Sequence, residues 1–523
     1  MEKVPYGHSL ELELSDFGPI AEAKIELRPL TVFVGPSNTG KSYLAILIYA
    51  LHRFLGPGFP GLLYGHRLMS HPSPLPPNLK ENLTLSDREV ETLLHWAREN
   101  FSKPGGRRAS DPDKIVVPDE IVALVRPLFE QMDGFAEYFD AEVRRCFGVD
   151  EFRQLIRRPR TKGTKVTLRR RVAAEAGDAE PLEFTFSTRG KKPGFSSSVP
   201  PGAPLYAPAG ESPFRWSIRG IAEGLPGAAD PDLDKELRQT LLRHLFDEVF
   251  TYSFGEAYRY AYYLPADRTG IMHAHRVVVR SLIERATAAG PRPASPAPAL
   301  SGVMADFLEQ LISFDDGPKE RRNRNQDLAR KLEEEVLTGS IHMEKSEVGY
   351  PRFFYTPEDW KEEALPLMNA SSMVSELAPV VLYLRHVVGP GDLLIIEEPE
   401  SHLHPAMQVA FIRSLAEAVR AGIRVLITTH SEWVLEEVAN LVSLSRLPEK
   451  RRKGIDSAQI SLSESDVGAW LFDTRKRPKG SKVEEIRLDE ESGTFPSGFS
   501  RVSELLYNRW AEIANRIEES QVR

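Results

Sequence analysis

The sequence predicts an α/β fold on three observations. Compact apolar runs at Leu30–Val34, Leu393–Ile396 and Val425–Thr429 have the length of buried strands. The first two are followed, after a turn, by helical patterns at Tyr43–Phe54 and 405–421. Between these well-patterned ends the chain is loosely ordered, which suggests one α/β head interrupted by a helical insertion.

Taken in order, Leu10, Leu12 and Leu14, then Ala21, Ala23, Ile25 and Leu27, alternate as strands do, and with 30–34 give two or three short strands. Gly35–Gly40 reads as a turn, and Gly56–Lys80 and 102–119 as surface insertions rich in Pro, Gly or polar residues. Helical patterns occupy 86–101, 118–157 and 231–258, strands Lys165–Arg171, Leu182–Thr188 and Tyr260–Leu264, and a loop Pro200–Pro213. The Pro/Ala-rich tract Gly290–Gly302 suggests an arm or hinge between helical stretches, the later ones at 302–313 and 320–337. Strands at 341–345 and 351–356, a helix at Ser375–Val387, and short strands plus a helix at 500–518 complete the chain, which has no internal repeat. The domain expectation is a first lobe over 1–270, with insertions near 56–160 and 190–255, a helical insertion or arm over 271–339, and a second lobe over 340–523.

Composition sets outer limits. At about 150 residues per domain, 523 residues make up to three domain-sized units or one large head with insertions. The 41% hydrophobic and 27% charged content is that of a globular chain, not a disordered one. A net charge of −8 excludes a general basic field, so any nucleic-acid contact must be local. The single cysteine, Cys146, allows neither an internal disulfide nor a multi-cysteine metal site. The opening residues lack a leader pattern and no run of 18 apolar residues occurs, so a soluble cytoplasmic protein with no membrane partner is expected.

The strongest chemical signal is Gly35-Pro36-Ser37-Asn38-Thr39-Gly40-Lys41-Ser42, a G-x-x-x-x-G-K-S loop with a strand before it and a helix after it. Glycines let backbone N–H groups approach phosphates, and the helix presents its positive end. Lys41 would reach the β- and γ-phosphates of ATP and the Ser42 hydroxyl would help hold Mg²⁺. The run Leu393–Ile396 delivers Glu397 and Glu398 at a strand end, where nucleotide sites of open α/β sheets lie. Glu397 suits Mg²⁺, and Glu398, pointing the other way, can orient a water for attack on the γ-phosphate.

His430 follows a third buried strand and could meet the γ-phosphate or that water, although a lone strand-end histidine is more often structural. Ser371 and Ser372 stand before an apolar helix with Pro379 near its expected first turn, a helix start open to an anion or, read alone, an ordinary N-cap. Arg153–Arg171 holds nine basic residues and no acid. Its members Arg157, Arg158, Arg160, Lys162, Lys165, Arg169, Arg170 and Arg171 are candidates for a nucleic-acid backbone, or for solvated surface.

Together, Gly35–Ser42, Ser371-Ser372, Leu393–Glu400 with Ser401-His-Leu-His404-Pro405, and Thr429-His430 resemble the phosphate loop, signature, Walker B, D-loop and switch histidine of ABC-type ATPases. The resemblance is to the SMC, RecF and OLD-like branch, which the EEPE-x-HLHP run and the Asp16–Ile20 hairpin support. It implies a P-loop NTPase head of ABC/SMC type with a helical insertion, and hydrolysis of ATP with Mg²⁺. It further implies a head-to-tail homodimer or higher oligomer in which Ser371-Ser372 of one subunit completes the site of the other. Departures are Met373 where the family has glycine, Asp267 or Arg268 where it has a Q-loop glutamine, and an insertion too short for a long SMC arm.

No Toprim or HNH pattern follows His430, so any cutting of nucleic acid would fall to a separate effector. The resemblance suggests the ATPase or sensor subunit of an antiphage defence or DNA-repair system, possible DNA contact included. A transporter ATPase, and a scaffold assembled by ATP with negligible turnover, are the alternatives; Met373 keeps the latter open, and in an ATPase it points to slow or partner-dependent hydrolysis.

Overall fold

In the computed structural model the described residues are 8–55, 85–101, 114–130, 135–157, 163–172, 182–189, 192–199, 205–208, 260–274, 300–312, 325–345, 351–360, 363–455, 459–476, 479–489 and 491–521, with isolated positions between 238 and 253. The chain opens with β1 (His8–Phe17), β2 (Ile20–Leu27) and β3 (Leu30–Val34), followed by helix α1 (Lys41–Leu55). Then come α2 (Asp87–Phe101), β4 (Lys114–Val116), α3 (Asp119–Glu130), α4 (Phe135–Phe147), β5 (Lys165–Val172), β6 (Leu182–Arg189), β7 (Lys192–Ser198), β8 (Tyr206–Pro208) and β9 (Ala261–Leu264). The next group is α5 (Gly302–Ile312), α6 (Gln326–Leu332), β10 (Gly339–Lys345), β11 (Pro351–Pro357), β12 (Leu365–Pro366), α7 (Ser372–His386) and β13 (Leu393–Glu397). The last is α8 (Pro405–Arg420), β14 (Arg424–Thr429), α9 (Glu432–Arg446), β15 (Val467–Lys476), β16 (Lys479–Ile486) and α10 (Phe499–Gln521).

Eleven strands form one sheet in the order β7-β6-β5-β1-β2-β16-β15-β3-β14-β13-β9. The half that holds β3, β14, β13 and β9 is parallel, as the continuous apolar runs require, and all residues of β3, β13 and β14 are buried. Alternate residues of these strands feed two cores on opposite faces. Phe33, Ile395 and Leu426 face one core with α1 and α4, while Val32, Val34, Leu394, Ile396, Val425 and Ile427 face the other with α7, α8 and α9. Register sets Val34 beside Thr429 and Glu397 beside Thr428, so the ends of three neighbouring strands meet on one edge.

The two lobes read within one head share a single sheet, in which the C-terminal pair β15 and β16 sits between β2 and β3. Other expectations are corrected. The described part of 271–339 is not an arm: Phe307 and Leu311 of α5 and Ala329 and Leu332 of α6 belong to the head's second core, whereas 275–299 lies outside the described residues. The helix expected over 118–157 is divided into α3, α4 and a short turn at Phe152–Leu155. The loop expected over Pro200–Pro213 contains β8, paired antiparallel with β4, and the insertion expected near 190–255 begins with β7, paired antiparallel with β6. The 231–258 pattern falls mostly outside the described residues, although Leu241, Leu245, Phe246 and Val249 are buried in the first core at helical spacing. Pro379 lies inside α7 and not at its start.

Candidate functional site

The phosphate loop is shaped by what packs behind it. Gly35 has φ +141°, and a Cβ there would lie 2.4 Å from the carbonyl oxygen of Phe472 on β15. At Gly40, φ is +102° and a Cβ would lie 2.7 Å from Cγ1 of Ile20, the first residue of β2. Both glycines are therefore required by backbone sign and by space. Pro36, Ser37 and Asn38 form the exposed crest, Asn38 itself left-handed at φ 62°. Thr39 Oγ1 donates to the Pro36 carbonyl at 2.8 Å, and Lys41 begins α1 with no acid in the helix's first turn. A curled loop leading into a helix N-terminus has the form of an anion cradle.

Lys41 is 5% exposed. Its Nζ donates to the carbonyls of Gly35 at 2.7 Å and Pro36 at 2.8 Å, and stands 3.4 Å from His430 Nδ1. Burial pushes its pKa down to about 8, against the opposing attraction of Glu398 and Glu400. A lysine has only donors, so Nδ1 accepts and the imidazole proton sits on Nε2. That nitrogen lies 3.2 Å from Glu398 Oε1, and one histidine thus connects the loop lysine to the strand-end acid.

Glu397 and Glu398 have different surroundings. Glu397 is 8% exposed, and burial raises its pKa although the hydroxyls of Ser42 and Tyr263 and the Ala266 N–H act to lower it. The Ala266 N–H donates to Glu397 Oε2 at 3.2 Å. A buried, destabilised carboxylate beside Ser42 is the chemistry a divalent cation relieves, so Ser42 and Glu397 fit Mg²⁺. No cluster of three His, Cys, Asp or Glu side chains suited to a metal occurs among the described residues. Glu398 has φ 44°, a left-handed conformation rare for a side-chain-bearing residue, while its N–H donates to Thr428 O at 2.9 Å. Its half-exposed carboxylate is turned toward His430.

Three further residues, to which the sequence reading gave no role like the one the structure shows, surround the cluster. Glu400 Oε1 accepts from Thr429 Oγ1 at 2.8 Å and from the His430 N–H at 2.6 Å, which fixes where the imidazole leaves the backbone. Tyr263, 2% exposed, brings its hydroxyl toward Glu397. Arg268 is fully buried: it donates to Glu397 O at 2.6 Å and pairs with Glu376 Oε1 of α7 at 2.6 Å. It is a staple between strand end and helix, not a group facing a nucleotide, and Asp267 is exposed. The acidic run after β13 advertised Glu400, but burial of an arginine next to a proline turn has no local signature.

Ser371 and Ser372 are exposed at the start of α7, where Ser371 Oγ accepts from the Val374 N–H at 3.4 Å as an N-cap. The basic run is not one open patch. Arg169 is held by Glu11, Glu13 and Glu183, Arg157 by Asp16 at 2.6 Å, and Arg170 is 1% exposed with its guanidinium over the Tyr206 ring. Acids absent from the linear segment arrive from β1 and β6. Lys165 is exposed; Arg158, Arg160 and Lys162 lie outside the described residues, as does the side chain of Arg171.

Parts of the chain are similar to known proteins. Residues 300–435 match the family described as AAA ATPase domain, a stretch that holds Ser371, Ser372, Glu397, Glu398 and His430 but begins after the phosphate loop. Protein ea59 of Escherichia phage lambda is 39% identical over 74 residues, which is 14% of this chain and 14% of that protein. An Smc head bound to the C-winged helix domain of ScpA is similar over 92% of this chain and 98% of that one, at 10% identity and TM-score 0.38. The Smc head with an extended coiled coil from Pyrococcus furiosus covers 96% and 99% at 9% identity and TM-score 0.37, and the SMC head of Thermotoga maritima 92% and 99% at 10% and 0.33. No helix among the described residues is long and apolar enough to cross a membrane.

Proposed function

We propose that this chain is an ATP-hydrolysing switch. The observation that carries the reading is the connected set Lys41, His430 and Glu398 at the ends of three adjacent strands, beside Ser42 and Glu397. Phosphates would take up the loop N–H groups, and Lys41 would exchange the Gly35 and Pro36 carbonyls for phosphate oxygens. Ser42 and Glu397 would hold Mg²⁺, which supplies charge neutralisation between the phosphates. Glu398 would orient a water and accept its proton as the oxygen attacks the γ-phosphorus and the bond to ADP breaks, with His430 steadying the carboxylate.

The exposed Ser371-Ser372 helix start suits completion of the site of a second subunit, and the Arg268–Glu376 staple would pass changes at Glu397 and Glu398 into that helix. In this reading a separate effector carries out the output, in antiphage defence or DNA repair. Met373, which packs half-buried against the second core where a glycine would allow close backbone approach, favours slow or partner-dependent turnover.

ATP turnover with and without double-stranded DNA, with Glu398→Gln as the blank, tests the proposal. Turnover above the blank supports a hydrolytic switch, and stimulation by DNA makes Lys165 and its neighbours the next target. Blank-level turnover in every condition would replace hydrolysis with ATP-controlled assembly.

A further inference from the structure

Lys41 and Ser42 have roles at the phosphate loop, and the residue after them is an aromatic one. Tyr43, on the first turn of α1, is 37% exposed. Helical side chains lean toward the N-terminus of their helix, and the Tyr43 ring leans onto the turn between β1 and β2. A Cβ added at Gly18 would lie 2.4 Å from Cδ1 and 2.7 Å from Cε1 of that ring. Phe17 meets the ring edge-on, at 6.3 Å between centroids and 72°, and Phe147 of α4 meets it at 5.3 Å and 50°. Neither lies parallel to it. The ring is braced by Gly18, Phe17 and Phe147, yet over a third of the residue stays in solvent.

The strand order gives a bound nucleotide its direction. Glu398 and His430, which mark the γ-phosphate end, follow β13 and β14. Those strands lie on one side of β3, from whose end the loop springs, while β15, β16 and β2 lie on the other. The β1–β2 turn reaches the loop from that other side, with Pro19 Cγ 2.8 Å from where a Cβ of Gly40 would stand. A triphosphate laid along the loop with its γ-phosphate at Glu398 and His430 therefore points its nucleoside toward Pro19, Gly18 and Tyr43.

We propose that Tyr43 is the platform on which the nucleobase stacks. The inference rests on the ATP reading above and adds what holds the base. An aromatic face accepts any flat base, and one such stack accounts for about five- to a hundredfold in affinity. Phe17 and Phe147 fix the ring before the base arrives, which spares the cost of ordering it on binding. The hydroxyl has no part in such a contact, so the flat ring alone should decide affinity.

The test is calorimetric binding of two ligands by the full-length protein with Mg²⁺: ATP, and inorganic tripolyphosphate, which carries three phosphates and no base. Tyr43→Ala should weaken ATP about tenfold or more and leave tripolyphosphate within about twofold of wild type. Tyr43→Phe and Tyr43→Trp, which keep a flat ring, should hold ATP affinity within about threefold. Equal weakening of both ligands by Tyr43→Ala would make the ring a brace for the loop, and unchanged ATP affinity would remove it from the site. Either result overturns the inference and leaves the ATP reading standing. A wild-type protein that binds neither ligand would overturn both.

Discussion

At Lys41, burial and the surrounding acids pull in opposite directions, and burial wins: the free protein holds its pKa near about 8. Phosphate binding favours the ammonium, so ATP binding above that pH must take up a proton. Affinity for ATP should hold steady from pH 6.5 to about 8 and then fall, by up to tenfold per unit. Titration calorimetry at pH 9 in buffers of different ionisation enthalpy should register the proton uptake. A Kd constant from pH 7 to 9.5 would mean that Lys41 is fully charged before binding. Glu400 acts one step removed, through His430. Glu400→Gln retains an oxygen able to accept from Thr429 and the His430 N–H, whereas Glu400→Leu removes it. The expected outcome is a kcat within a few-fold of wild type for the amide and about 10–100-fold lower for leucine, with KM for ATP little changed. Equal losses in both variants, or a loss confined to KM, would contradict a positioning role.

Among the elements, β13 and α7 depend on one buried pair. Arg268 and Glu376 are 0% and 1% exposed, so removing the arginine strands a carboxylate in the core. Arg268→Ala should cost about 3–5 kcal/mol, read as a lowered denaturation midpoint. A loss under about 1 kcal/mol would show the pair to be dispensable. Helix α1 holds a second test. His52 lies 3% exposed against Leu10, Leu12, Leu27 and Leu168, and burial, with Arg424 adding to it, pushes its pKa from 6.5 down to about 3. The unfolded chain binds the proton below 6.5 and the folded chain refuses it until about 3, so stability falls as pH drops through that window. His52→Leu should flatten the dependence of the urea midpoint between pH 6.5 and 4; an unchanged slope would remove His52 from acid sensitivity.

At the scale of the whole molecule, the sheet explains what the sequence could and could not reveal. Val34, Glu397 and Thr429 each end a continuous apolar run, so their strands and the residues that follow were legible locally. Their order was not: β14 lies between β3 and β13, and β15 with β16 enters beside β2, through pairings hundreds of residues apart that leave no periodic trace. The same blindness misjudged Arg169 and Arg157, whose acids come from other strands, and α5, whose Phe307 and Leu311 pack into the core although the preceding Pro/Ala tract suggested an arm. What the assembled sheet brings together is a loop lysine, a bridging histidine and a strand-end acid. The most direct test is to measure ATP binding and ATP turnover side by side in wild type, Lys41→Ala and Glu398→Gln. The predicted result is loss of binding in the first variant, and in the second retained binding with turnover at background. ATP hydrolysed by Glu398→Gln at the wild-type rate would contradict the assignment of this site.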